Sequence, residues 1–145
     1  MVQAALEQTA LTHRSSAAAE TTEFLARASF QLLHGANLEE VIRALAPPEA
    51  LIRAEAQLNK NVVAAIQALG QSCSIDAAIP GVLYLVLKHG DDLPKAFSEN
   101  AMAGGDNCAR GLALGMLLGA AHGIDAIPLE WRDQLSAKEN LNALL

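Results

Sequence analysis

The stretch "GGDNCARGLALGMLLGAAHG", residues Gly104–Gly123, holds two patterns that decide how this part of the chain folds. It opens with two glycines and an acid, and then repeats glycine at every fourth position: Gly111, Gly115, Gly119 and Gly123. Residues four apart lie on one face of a helix, so the spacing predicts a helix with a glycine face. Each glycine costs about 1 kcal/mol relative to alanine, so such a helix needs a packing or binding reason. We favour close packing as the reason for the glycines, because the other side of the helix carries apolar residues expected in the core, namely Leu114, Met116, Leu117 and Leu118.

Composition predicts an all-α fold. The chain has 145 residues, which is a common size for one domain, and we expect residues 1–145 to form a single compact multi-helix domain. Hydrophobic residues make up 52% and aromatic residues only 3%, so the core must consist of small aliphatic side chains packed between helices. The segment "GVLYLVLKHG", residues 81–90, is apolar nearly all round and predicts a helix at the centre of the fold.

Apolar periodicity and turn residues predict the other helices. The first runs from Ser16 to about His34, and Gly35 and Asn37 supply a stop and a new start. A short helix ends before the two prolines at 47 and 48, and one helix is expected from there to Gly70. Pro80 suits the first turn of the central helix. Further helices are predicted within "DDLPKAFSENAMAGG", from residue 91 to the paired glycines, near residue 128, and from Ser136.

Charge and hydropathy exclude several functions. The net charge is −6 and the Lys and Arg residues are scattered, which does not suit nucleic acid. The apolar run in Gly104–Gly123 is about half the length that a bilayer requires, so no membrane span is expected. The N-terminus lacks the pattern of a signal or transit peptide, and we place the protein in the cytoplasm. Cys73 and Cys108 have no zinc or disulfide spacing and are expected to be reduced thiols.

Few residues could carry chemistry. His34, His89 and His122 each precede a glycine at a predicted helix end, where a histidine suits the helix dipole and glycine a left-handed cap. His13 lies outside that pattern. Asp106 would repel a phosphate at the Gly-Gly turn, so it is either an N-cap or a ligand for a hard cation such as magnesium. The pattern does not choose between these two roles.

Several ordered segments resemble the C-terminal part of the ADP-ribosylglycohydrolase family, which also contains jellyfish crystallins. The matching segments run from about Leu11 to Trp131 and are "LTHRSSAAAE", "LLHGANLEEVIRAL", "IPGVLYLVLKHGDDLPKAFSENAMAGGDNCARG" and "LLGAAHGIDAIPLEW". The resemblance implies an all-helical hydrolase that cuts a glycosidic bond of ADP-ribose with the help of two magnesium ions. Their ligands come from an N-terminal Thr-Asp-Asp element and a C-terminal Gly-Gly-Asp-x-Asp-Thr/Ser element.

This chain departs from the family pattern. Asp106 matches the first C-terminal acid and would be a magnesium ligand, whereas Cys108 and Ala109 stand where the second acid and the hydroxyl would be. Gly104, Gly105 and Asn107 would line the substrate pocket for ADP-ribose or an ADP-ribosylated substrate. The Thr-Asp-Asp element has no counterpart in the sequence. We therefore expect the back half of such a protein, from a truncated gene, a gene fragment or a divided protein, with weak or no activity without its N-terminal half.

A second hypothesis belongs to another class. The chain would be a non-catalytic helical module that binds a partner protein or forms a homo-oligomer. We expect its apolar docking surface at residues 82–87, the most apolar segment of the chain.

Overall fold

The computed structural model describes residues 1–142, and these residues form ten α-helices and one short 3-10 helix without a β-strand. The predicted all-α fold class is therefore confirmed. The helices are α1 (Val2–Ala10), α2 (Ser16–Leu33), α3 (Leu38–Leu45), α4 (Pro48–Glu55), α5 (Val62–Leu69), α6 (Ile75–His89), α7 (Leu93–Met102), α8 (Asn107–His122), α9 (Leu129–Asp133) and α10 (Lys138–Asn142), with the 3-10 helix at Ile124–Ala126.

Helix α6 lies at the centre of the fold, as its sequence predicts. It packs against six other helices, namely α2, α3, α4, α5, α7 and α8. The side chains of residues 82–85 are completely buried, and Val86 is 3% exposed. The sequence-based hypothesis that residues 82–87 form an exposed docking surface is therefore wrong, because the neighbouring helices already cover this segment.

The start of α6 also differs from the prediction. The helix begins at Ile75, so Pro80 lies inside it rather than in its first turn. Proline has no N–H to offer the carbonyl four residues earlier, which belongs to Asp76. Nη1 of Arg53 donates to that carbonyl at 2.6 Å, and Nη2 of Arg53 donates to the carbonyl of Leu69 at 2.9 Å. Arg53 on α4 thus allows a proline in the body of the central helix.

The long helix expected between Pro48 and Gly70 is divided into α4 and α5. Asn61 caps α5, because its Oδ1 accepts a hydrogen bond from the N–H of Ala64 at 2.9 Å. The carbonyl of Lys60, just before the cap, accepts from the Tyr84 hydroxyl at 2.9 Å and from Nζ of Lys88. These polar groups of α6 satisfy the turn between the two helices, which the apolar periodicity could not indicate.

The N-terminal helices follow the predicted limits with one addition. Helix α2 spans Ser16–Leu33 and buries Phe24, Ala28 and Leu32. Gly35 follows it with a φ of +84°, and the side chain of Asn37 caps α3. Helix α1 was not predicted, because it buries no residue completely and so carries little periodic signal.

Two of the three histidines precede a glycine with positive φ, but the third does not. Gly35 and Gly123 have φ values of +84° and +72°, whereas Gly90 has a φ of −59°. A Cβ at Gly90 would lie 2.5 Å from the carbonyl oxygen of Val86, so close packing and not handedness requires this glycine. Nε2 of His122 donates to the carbonyl of Gly90 at 2.6 Å and links the end of α8 to the end of α6.

Within residues 1–142, no helix combines the length and the apolar character that crossing a lipid bilayer requires.

Candidate functional site

The Gly-Gly-Asp segment forms a tight turn between α7 and α8. Gly104 and Gly105 have φ values of +70° and +64°, which residues other than glycine rarely adopt. Helix α8 then begins at Asn107, as the sequence predicts. The turn brings the four expected site residues together, with Gly105 exposed and with Gly104, Asp106 and Asn107 half-buried.

Asp106 is the N-cap of α8. Its Oδ1 accepts a hydrogen bond from the N–H of Ala109 at 3.1 Å, which satisfies one of the free amide groups at the start of the helix. A negative charge at this end of a helix is stabilised by the helix dipole. The structure therefore shows the capping role that the sequence left as one of two alternatives.

Gln71 holds the turn from outside. Its carbonyl accepts from the N–H of Asp106 at 2.9 Å, and its Nε2 donates to the carbonyl of Ala103 at 2.7 Å. Gly105 lies directly on Gln71, because a Cβ built at Gly105 would be 2.4 Å from the Gln71 Cβ. Gln71 was not predicted as a site residue, because it lies 33 positions before Gly104, in the loop ahead of α6, and no local pattern marks it.

Arg110 holds the turn from inside. Its side chain is 0% exposed. Its Nε donates to Oδ1 of Asn100 at 3.0 Å, and its Nη2 donates to the carbonyl of Gly104. Nδ2 of Asn100 in turn donates to the carbonyl of Asn107 at 2.8 Å. Arg110 was not predicted as a site residue. The signal that could have found it is a single arginine in an otherwise uncharged first half of an apolar helix.

The buried guanidinium is electrostatically unusual. Burial lowers the pKa of Arg110, and the nearby Asp106 carboxylate acts in the opposite direction. Its Nη1 has no hydrogen-bond partner. Gly81 of α6 makes room for the side chain, since a Cβ at Gly81 would lie 3.0 Å from the Cδ of Arg110. The guanidinium therefore lies between α6, α7 and α8, directly under the turn.

Only part of the glycine face is explained by packing. A Cβ at Gly115 would lie 3.2 Å from the Cζ of Phe97, and one at Gly111 would lie 4.0 Å from the Cε1 of the same ring. Gly119 has no atom within that range. Met116, which the sequence placed in the core, is 43% exposed. The other three predicted core residues of α8, Leu114, Leu117 and Leu118, are buried as expected, and α8 also buries Arg110 and Ala113.

The turn does not provide the ligands of a magnesium cluster. Asp106 offers a carboxylate, but Cys108 is an exposed thiol, which is a soft ligand, and Ala109 has no donor. Within residues 1–142, no three His, Cys, Asp or Glu side chains are grouped so that they could hold a metal ion. A cation is already buried below the turn, namely Arg110. The donor set therefore does not fit two magnesium ions.

The fold and the turn define a class of protein: an all-helical protein in which a Gly-Gly-Asp turn begins a glycine-rich helix. The model of the ADP-ribosylglycohydrolase family matches residues 1–145, the whole of the sequence. The chain therefore belongs to the ADP-ribosylglycohydrolase family, and at the level of the family it is assigned to the hydrolases. No curated protein and no solved structure matches the chain significantly.

Proposed function

We propose that the chain binds the ADP-ribosyl group at the turn formed by residues 104–107, and that its reaction is hydrolysis of an ADP-ribosyl glycosidic bond. The observation that supports this most directly is the organisation of the turn. Gln71 on one side and Arg110 on the other fix the backbone of residues 103–107 before any ligand arrives. A fixed backbone binds a ligand with a smaller loss of conformational entropy.

Each residue of the turn has a role in this proposal. Gly105 is exposed on the side away from Gln71, so a ligand can reach its backbone there. Asn107 offers an amide that both donates and accepts, which suits the hydroxyl groups of a ribose. Asp106 fixes the start of α8. Because one carboxylate is not enough to activate water and orient a sugar, we expect weak or no turnover by this chain alone. The cytoplasmic location expected from the sequence is part of the same proposal.

Calorimetric titration with ADP-ribose tests the binding proposal. We expect saturable binding by the wild-type chain and at least about tenfold weaker binding by Asn107→Ala, since one lost polar contact of a buried ligand group costs on the order of 1 kcal/mol or more. Asn59→Ala is the matched control, because Asn59 is an exposed asparagine in the turn between α4 and α5. Absence of binding by the folded wild-type chain would overturn the proposal. Release of ADP-ribose from an ADP-ribosylated peptide measures turnover in the same samples.

A second candidate function is self-association through α8. Four exposed residues in the first three turns of this helix are apolar or weakly polar, namely Cys108, Ala109, Leu112 and Met116, with Leu112 72% exposed. A homodimer that buries these residues would belong to the interaction class predicted from the sequence, at a different surface. Light scattering of the wild-type chain and of Leu112→Gln distinguishes the two functions. A dimer that becomes monomeric in Leu112→Gln and binds no ADP-ribose would favour the second candidate.

A further inference from the structure

We propose that Arg110 takes the place of a divalent cation at the Gly-Gly-Asp turn, so that the turn is assembled and its charge balanced without a metal ion. This role of Arg110 concerns the same turn as the proposed function, and its functional importance rests on that proposal. It does not require ADP-ribose to bind. Its starting point is the disagreement between the residues of the turn and the magnesium ions that the family resemblance implies.

The first step concerns charge. Asp106 brings one negative charge to the turn, and two things already balance it: the positive end of the 16-residue helix α8 and the buried Arg110 guanidinium. Arg110 and Asp106 do not form a direct ion pair, so their attraction acts through the protein interior, where it is screened less than in water. A divalent cation at Asp106 would therefore meet a negative charge that is already balanced.

The second step concerns the oxygen atoms. A hard cation prefers carboxylate and carbonyl oxygens. In this turn the carbonyls of Gly104 and Asn107 accept hydrogen bonds from Arg110 and Asn100, and the carbonyl of Ala103 accepts from Gln71. The Oδ1 of Asp106 accepts from Ala109. These four oxygens of the turn are thus already engaged with donors of the protein itself.

The third step concerns the cost of burying Arg110. Burying the Arg110 guanidinium, whose Nη1 is unpaired, destabilises the folded state through loss of hydration. Its hydrogen bonds to Asn100 and Gly104 and its attraction to Asp106 offset that loss. A cation that carries out both of these tasks, joining the turn and balancing its acid, does what a structural metal ion does elsewhere.

Titration with manganese alone tests the absence of a metal site. Mn²⁺ is added to the wild-type chain and to Asp106→Asn, and free Mn²⁺ is followed by electron paramagnetic resonance. Asparagine is as good an N-cap as aspartate, so this variant removes the charge and keeps the cap. We expect the two binding curves to coincide. Saturable binding by the wild-type chain that disappears in Asp106→Asn would overturn the inference.

A double-mutant cycle tests the role of Arg110. Unfolding by urea is measured in a buffer that contains a chelator. The samples are the wild-type chain, Asp106→Asn, Arg110→Gln and the double variant. Glutamine keeps a donor at about the position of the arginine Nε, toward Asn100, but has no charge. We expect Asp106→Asn to lower the folded-to-unfolded ratio at least about threefold more in the wild-type background than in the Arg110→Gln background. Equal effects in both backgrounds would show that the two charges are not coupled and would overturn the inference.

The two tests are independent of each other and of the proposed function. The manganese titration involves no change at position 110, so it remains decisive even where Arg110→Gln fails to fold. No sample contains ADP-ribose. A chain that binds manganese at Asp106 and also binds ADP-ribose would therefore overturn this inference and leave the proposed function standing, and the converse result would separate them equally well.

Discussion

Substituting Gly105 by alanine is expected to destabilise the protein more than the same change at any other glycine of positive φ that lies in open space. Gly105 has a φ of +64°, and its Cβ would lie 2.4 Å from the Cβ and 2.5 Å from the carbonyl oxygen of Gln71. Two costs therefore apply to Gly105→Ala. A left-handed conformation costs a residue with a Cβ about 1–2 kcal/mol, and overpacking against neighbours that cannot move freely costs about 1–3 kcal/mol.

The sum is a loss of about 2–5 kcal/mol in the free energy of unfolding. Gly35 supplies a matched control, because its φ is +84° and a Cβ there would meet no atom within 4 Å. Gly35→Ala should cost only the conformational part, about 1–2 kcal/mol. Gly119→Ala is the opposite control, since Gly119 lies inside α8 with open space around it. Because alanine is more stable than glycine inside a helix, this variant should raise the free energy of unfolding by about 0.5–1 kcal/mol.

Urea unfolding followed by circular dichroism at 222 nm measures all three variants in one assay, with the midpoint and the slope reported separately. The expected order of stability is Gly119→Ala, wild type, Gly35→Ala and Gly105→Ala. A Gly105→Ala variant as stable as Gly35→Ala, with an unchanged slope, would show that the turn does not press against Gln71 and would refute the reasoning about its fixed geometry.

Three further predictions concern single side chains. Arg53→Met should lower the free energy of unfolding by about 1–3 kcal/mol, because the carbonyls of Asp76 and Leu69 lose their donor, whereas Arg14→Met, a change at an exposed arginine, should stay within about 0.5 kcal/mol in the same urea assay. Asp106→Ala should be less stable than Asp106→Asn by about 0.5–2 kcal/mol, because both variants lose the charge and only the alanine variant loses the helix cap. Burial of His89, together with the nearby positive charge of Lys95, lowers the pKa of its imidazole in the folded chain. The unfolded chain therefore binds the proton more readily, and the free energy of unfolding should fall as the pH falls below about 6.5. Unfolding measured across that range should show a smaller pH dependence in His89→Gln, and an unchanged dependence would contradict the assignment.

The parts of the fold that follow from local pattern were predictable. The limits of α2, the cap at Asn37 and the start of α8 depend on apolar period and on cap residues that are neighbours in sequence. The burial of the central helix follows from its apolar character on all sides. The exception within that helix is Pro80, whose position inside α6 depends on Arg53 in another helix. A bond between residues 23 positions apart leaves no local trace.

The candidate site shows the same division. Residues 104–107 could be found because glycine and acid next to each other mark a helix start. The two residues that fix the turn could not: Gln71 acts through its backbone carbonyl as well as its side chain, and Arg110 becomes important only because Gly81 of another helix leaves space for it. The exposure of Met116 was missed for a related reason, since apolar period predicts which face can be buried and not whether a neighbour covers it.

The proposed binding of the ADP-ribosyl group at residues 104–107 is tested most directly by nuclear magnetic resonance. The ¹⁵N-labelled chain is titrated with ADP-ribose in the presence of a chelator, and two-dimensional amide spectra are recorded. We expect saturable shifts concentrated at Gly104, Gly105 and Asn107, with smaller ones at Gln71 and Arg110. Shifts centred on another part of the molecule, or an unchanged spectrum of the folded chain at millimolar ADP-ribose, would contradict it.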